Sequence, residues 1–87
     1  MGDPTPPEPA RGVRKFVLRN ERDSPLILVL EPWANEYEIP PREALEIVEE
    51  AGESVESLEI LVEAEHVVFS ARPRSTLRAF RDGVELP

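Results

Sequence analysis

Few side chains in this sequence could carry out chemistry. The 87 residues include one histidine, His66, and no cysteine. A catalytic triad would need His66 as its base, yet this residue precedes two valines in a segment typical of a strand, and no serine lies in a Gly-x-Ser-x-Gly turn. Pairs of glutamates could imitate a glycosidase, but alternating glutamates usually form the solvated face of a strand. We therefore predict no catalytic residue and no enzymatic activity.

The same residues make a poor metal site. Glu63 and Glu65 precede His66 closely, but one imidazole with carboxylates lacks the second His or the Cys that transition metals prefer. No Asp-x-Asp-x-Asp-Gly calcium loop and no glycine-rich phosphate loop occurs in the sequence. We predict no metal and no cofactor. The alternative is a small-ligand or metal-binding sandwich of the cupredoxin kind, and the lack of cysteine argues against copper in it.

The charge of the chain is distributed unevenly. Residues 1–30 carry five basic and four acidic side chains, residues 31–65 one Arg and twelve Glu, and residues 66–87 four Arg and two acids, which sums to −8. This acidity argues against a nucleic-acid partner, because phosphate neutralisation needs clustered Lys and Arg. Two interpretations remain: basic end strands lie beside acidic middle strands and pair their charges, or an acidic face binds a basic protein.

The sequence favours neither membrane insertion nor export. No apolar segment approaches the roughly 20 residues of a membrane span. The N-terminus lacks the basic-then-apolar pattern of a signal peptide. We therefore expect a cytoplasmic protein without a membrane partner.

The chain is organised around the segment 20–41, which contains the longest apolar run. Leu26–Leu30 is five apolar residues in succession, bounded by Pro25 and Pro32. So short a run is more typical of a strand buried on both faces than of a helix. We predict that Leu26–Leu30 is the central strand, and that Glu21–Pro25 is a hairpin turn that makes it antiparallel to the strand before it.

Alternating apolar and polar residues predict further strands. In Val13–Asn20, Phe16 and Leu18 share one face and Val17 lies among the polar residues. After a polar loop at 52–57, the clearest alternation predicts that Leu58, Ile60 and Val62 point inward. The remaining predicted strands are Tyr37–Ile39, His66–Ser70 and Thr76–Arg81, with Asp82-Gly83 as a type I′ turn before a stub at Val84–Leu86.

Residues 41–51 fit two structures. High-propensity residues, Pro41 and a capping Gly52 favour a helix. Alternation of Leu45 and Ile47 with Glu46 favours a strand, which we prefer because the neighbouring segments need a partner. The sequence thus predicts an all-β protein: residues 1–12 form a disordered Pro-rich tail, and residues 13–87 form a small antiparallel β-sandwich, or partly open barrel, of about seven short strands.

Part of the chain resembles known proteins. The residues that carry the likeness are Asn20, Ser24-Pro25, Glu31-Pro32-Trp33, Tyr37 and Ile39-Pro40-Pro41. The pattern resembles short bacterial proteins of unknown function and, more distantly, the β domain of the von Hippel-Lindau tumour suppressor, a likeness that implies a β-sandwich and peptide binding. Arg42 stands where both patterns place Gly, which implies a different turn. The residues of the hydroxyproline pocket have no counterpart, so that specificity is not carried over.

Four residues are candidates for contact with a partner: Trp33, Tyr37, Arg78 and Phe80. Trp33 follows the central strand in a Pro-flanked bend, where we expect it to cover the end of the core; the alternative is an exposed anchor for a partner. Arg78 and Phe80 could share the outer face of a strand as a cationic and aromatic patch, unless a neighbouring Glu pairs with Arg78. We predict a non-enzymatic protein-interaction or accessory module that binds a protein partner or associates with itself through Trp33 or an exposed sheet edge.

Overall fold

The computed structural model describes residues 12–51 and 58–87. Residues 1–11 of the predicted tail at 1–12 and the predicted loop at 52–57 lie outside this part, whereas Gly12 begins a strand and not the end of a tail. None of the described residues is helical, so residues 44–51 form the strand and not the helix. The eight strands are β1 (Gly12–Arg19), β2 (Leu26–Glu31), β3 (Asn35–Ile39), β4 (Ala44–Ala51), β5 (Glu59–Val62), β6 (His66–Ser70), β7 (Ser75–Arg81) and β8 (Val84–Glu85).

The strands form two sheets that pack as a sandwich, as predicted, and do not close into a barrel. Sheet A has the order β1-β4-β7-β8, and sheet B has the order β3-β2-β6-β5. β2 is a central strand of sheet B, also as predicted. The sheets are not wholly antiparallel, because β2 and β6 pair in parallel, with Ile27 opposite His66 and Glu31 opposite Ser70.

The predicted hairpin between β1 and β2 is wrong. β1 pairs with β4 in sheet A, whereas β2 pairs with β3 and β6 in sheet B. The loop between β1 and β2 therefore carries the chain from sheet A to sheet B, and the partly buried Phe16 and Leu18 of β1 pack against the core from the side opposite β2. The second such crossing joins β3 to β4 through the turn at 40–43.

The core lies between the two sheets and is mainly aliphatic. Phe16 of β1 meets Phe69 of β6 across it, with ring centroids 5.8 Å apart and an edge-to-face angle of 74°. Each fully buried Leu or Ile contributes about 1.5–3 kcal/mol. The buried apolar residues are Leu26, Leu28, Leu30, Ile39, Leu45, Ile47, Val67, Phe69, Leu77 and Ala79.

Strand β5 corrects a second prediction. Ile60 and Val62 stand opposite Phe69 and Val67, so their side chains point to the inner side of sheet B as expected. They are nevertheless 46% and 73% exposed, because β5 is an edge strand. Only Leu58, just before the strand, packs against the core. Alternation predicted the direction of these side chains but not whether anything covers them.

Among the described residues, four turns contain a non-glycine residue with positive φ, at Ala34, Arg42, Arg74 and Asp82. Two of these turns concern predictions made from the sequence. Asp82 and Gly83 have φ of 51° and 82° between β7 and β8, which confirms the predicted type I′ hairpin. Arg42 has φ of 69°, a conformation that Gly adopts most readily. Its backbone N–H donates to the Asn20 carbonyl at 2.7 Å, and its side chain contacts the Glu21 carbonyl and the Asp23 carboxylate. These contacts hold an arginine in the left-handed region.

Candidate interaction surface

Trp33 lies on the surface, in the turn between β2 and β3. Its side chain is 42% exposed, and it is not part of the apolar core. The prediction that it covers the end of the core is therefore wrong. Leu30 and Phe69 stand side by side at this end of sheet B, and both are buried. Leu30 and Phe69, and not the indole of Trp33, thus form this end of the core.

The other three candidate residues lie in different environments. Tyr37 stands opposite Leu28 and packs against the core, where it contributes to folding. Arg78 and Phe80 alternate with buried residues of β7 and so share the outer face of sheet A. The structure brings Arg78 and Phe80 together but places Trp33 in a turn of the other sheet.

Arg78 pairs with an acidic neighbour, as the alternative interpretation of this residue predicts. Its Nη2 atom lies 3.1 Å from Oε1 of Glu50 on β4, and both side chains are nearly half exposed. On the outer face of sheet A, Arg78 thus joins the basic strand β7 to the acidic strand β4, in agreement with the interpretation that basic end strands pair with acidic middle strands. Such exposed pairs stabilise a fold by at most about 1 kcal/mol each.

A buried ionic cluster lies under sheet A, and sequence reasoning missed it. Glu49 has no exposed surface and points into the core beside Ile47. Its Oε1 atom accepts a hydrogen bond from Nε of Arg14 at 2.8 Å, and its Oε2 atom accepts one from Nε of Arg72 at 3.0 Å. The sequence did contain a signal for the burial of Glu49. Leu45, Ile47 and Glu49 are two residues apart along β4, so their side chains point to the same face.

Asn20 is a second buried polar residue, with 1% exposure. Its Nδ2 group donates to the carbonyls of Ser24 and Ile39, both at 2.9 Å, and its Oδ1 atom accepts from the Arg22 N–H at 2.9 Å. One side chain therefore ties the end of β1 to the following loop and to the end of β3. The residues behind the sequence resemblance, Asn20, Ser24 and Ile39, meet here in a structural corner.

The outer face of sheet B combines aliphatic and acidic side chains. One row across the four strands is Glu36, Val29, Val68 and Leu61, in register. The next row is Glu38, Ile27 and His66. Leu61 is 52% exposed, and the other three aliphatic side chains are partly buried. We call this surface, defined by Ile27, Val29, Leu61 and Val68 with the surrounding glutamates, the sheet B face.

The rim of the sheet B face is acidic. Strands β2, β3, β5 and β6 contain no Lys or Arg. In the described part of the chain, none of the rim glutamates takes part in an ion pair, in contrast to Glu49 and Glu50 of sheet A. The rim residues are Glu31, Glu36, Glu38, Glu59 and Glu63.

Comparisons with known proteins place no further constraint on the surface. No protein family, characterised protein or solved structure matches the chain. Within residues 12–51 and 58–87, no His, Cys, Asp and Glu side chains gather in a group of three or more that could hold a metal ion. The described residues also include no helix long and apolar enough to cross a membrane.

Proposed function

We propose that the protein is a non-enzymatic interaction module that binds a basic protein segment on the sheet B face. One observation carries the proposal: a row of aliphatic side chains crosses this sheet and is surrounded by glutamates that have no basic partner among the described residues. On the outer face of sheet A, by contrast, Arg78 of β7 pairs with Glu50 of β4.

The side chains of the sheet B face indicate what kind of partner segment would bind there. Val29 and Val68 offer apolar area, and burying it gains about 25 cal/mol per Å². Glu36 and Glu38, on the edge strand β3, would meet Lys or Arg side chains that flank an aliphatic residue. Such rim charges mainly accelerate association and exclude acidic competitors. The partner segment is thus aliphatic in the middle and basic on both sides.

We expect the affinity for a basic peptide to fall when the rim charge is reversed. The probe is a short fluorescent peptide in which Lys or Arg alternates with Val, and binding is measured by fluorescence anisotropy. Glu36→Lys with Glu38→Lys should weaken binding about tenfold or more, since each lost charge pair is worth up to about 1 kcal/mol and becomes a repulsion. Added salt should weaken binding to the wild type.

A matched control separates this face from net charge. Glu43→Lys with Glu85→Lys makes the same change in charge, and both residues are exposed outside the sheet B face. This variant should retain most of the affinity. Equal losses in the two double variants, or equal binding of a peptide with Glu in place of its basic residues, would reject the proposed face.

Trp33→Ala should leave the domain folded. Since 42% of the side chain is exposed, we expect a loss of only about 1 kcal/mol in the free energy of unfolding, against about 3–5 kcal/mol for a buried aromatic residue. The indole of the wild type should show red-shifted fluorescence emission typical of a hydrated site. Blue-shifted emission together with a large loss of stability would show that Trp33 is part of the core after all.

A further inference from the structure

Strands β1 and β5 lie along the same side of the sandwich. Phe16 of β1 packs on Phe69 of β6, the neighbour of β5. At the other side, Nη2 of Arg81 on β7 donates to the Glu38 carbonyl of β3 at 2.9 Å. Among the described strands, β1 pairs only with β4, and β5 pairs only with β6. Within residues 12–51 and 58–87, two open strand edges therefore run side by side, one in each sheet.

The two edge strands also run in the same direction. The Asn20 side chain bonds to Ile39 at the end of β3, and Ile39 stands opposite Leu26 at the start of β2. β1 therefore ends where β2 begins, and the two strands run in opposite directions. β6 is parallel to β2, and β5 is antiparallel to β6. It follows that β5 runs in the direction of β1.

The hydrogen-bond phase of each strand identifies the groups at the open edge. The Asn20 N–H bonds to the Glu43 carbonyl, so by alternation Lys15, Val17 and Arg19 of β1 direct their backbone groups away from β4. The Glu63 N–H bonds to the His66 carbonyl, so by the same rule Ile60 and Val62 of β5 direct theirs away from β6. Each edge thus offers alternating donors and acceptors to another strand.

Parallel pairing of β1 with β5 of another copy satisfies these groups. In a parallel pair, a residue that directs its N–H toward the partner stands opposite one that directs its N–H away. This rule allows Leu61 to stand opposite Val17, and both side chains then lie on the outer face of the joined sheet. Ile60 stands opposite Phe16, on the inner face, at the level already set by the contact of Phe16 with Phe69.

The charges in this register are complementary. Lys15 faces Glu59, and Arg19 faces Glu63, on either side of Val17 and Leu61. Val17 is 68% and Leu61 is 52% exposed in the single copy, so pairing would cover apolar surface. The sequence Lys-Phe-Val-Leu-Arg of β1 thus meets Glu-Ile-Leu-Val-Glu at residues 59–63 residue by residue.

We propose that the protein forms a twofold-symmetric homodimer through these edges. A twofold rotation about an axis parallel to the strands places sheet B of the second copy beside sheet A of the first. It leaves the direction of every strand unchanged. Both junctions, β1 with β5 of the second copy and β5 with its β1, therefore form at once and close the assembly. Each sheet A continues into a sheet B to give two sheets of eight strands. The dimer does not depend on the proposed binding of a basic partner, because that binding uses Glu36 and Glu38 at the opposite edge of sheet B, which stays open when Glu59 and Glu63 are covered.

A charge exchange between the two edges tests the dimer. Sedimentation equilibrium over a range of concentrations should give the wild type twice the 9.8 kDa mass of the chain. Lys15→Glu and Glu59→Lys should each raise the dimer dissociation constant about tenfold or more, because each places like charges at both junctions. The variant with both substitutions restores opposite charges and has the net charge of the wild type. It should recover the wild-type dissociation constant.

Circular dichroism and thermal melting of all four proteins will show whether the variants are folded. Recovery in the double variant supports this register, since general destabilisation would accumulate and not cancel. A wild type that stays monomeric at every concentration, or single and double variants that dissociate equally, would overturn the proposal.

Discussion

Replacing Glu49 by alanine is expected to lower the free energy of unfolding by about 3–5 kcal/mol, the range for breaking a buried ion pair by removing one partner. Glu49 is completely buried, and the Arg72 side chain is only 8% exposed. Without this carboxylate, the guanidinium of Arg72 stays in a medium that solvates charge poorly. The loss of the Arg14 contact should cost less free energy, because 52% of the Arg14 side chain already faces water. The loss could approach the whole stability of so small a domain.

Urea denaturation followed by circular dichroism measures this effect, and two variants isolate it. Glu50→Ala removes the adjacent carboxylate, which pairs with Arg78 on the surface, and should cost less than about 1 kcal/mol. Glu49→Leu with Arg72→Leu replaces charge by apolar side chains and should be less harmful than Glu49→Leu alone. If Glu49→Ala cost no more than Glu50→Ala, the cluster would have no structural importance.

Replacing Asn20 by alanine is expected to lower the free energy of unfolding by about 2–4 kcal/mol. Each buried group that loses its hydrogen-bond partner costs about 1–3 kcal/mol. The Ile39 carbonyl is buried with Asn20, whereas the Ser24 carbonyl and the Arg22 N–H are partly exposed and can bind water. The change should therefore loosen the corner where the chain crosses between the two sheets.

The same denaturation experiment can use two comparisons for Asn20. Asn20→Asp keeps an acceptor for the Arg22 N–H but loses both donated bonds, so it should be at least as destabilising as alanine. Asn35→Ala changes an exposed residue at the start of β3 and should alter stability by about 0.5 kcal/mol or less. A stable Asn20→Ala protein would mean that water replaces the side chain at this corner.

Local sequence patterns determined the strands. Alternation in His66–Ser70 and Thr76–Arg81, the apolar run of β2 and the Asp82-Gly83 turn all predicted structure that is present. The competition between helix and strand at 41–51 was resolved in favour of the strand that gives sheet A its centre. These signals are readable from the sequence because period, propensity and turn chemistry depend on neighbouring residues.

Local sequence patterns did not predict which strands pair with each other. A short loop suggested a hairpin between β1 and β2, but the same loop can also cross from one sheet to the other. The buried amide of Asn20 and the two apolar faces select the crossing. The parallel contact of β2 with β6 joins residues about 40 positions apart, and no local pattern reports so distant a partner.

The sequence by itself determined the candidate surface only in part. It showed the acidity of the chain and which side chains alternate along each strand. Only the tertiary structure decided that Trp33 is exposed, that Ile60 and Val62 belong to an open edge, and that Glu49 is buried between two arginines. The physical reason is that period two assigns a side chain to one of two faces. Whether that face meets water, another sheet or an opposite charge depends on strand order, which distant contacts establish.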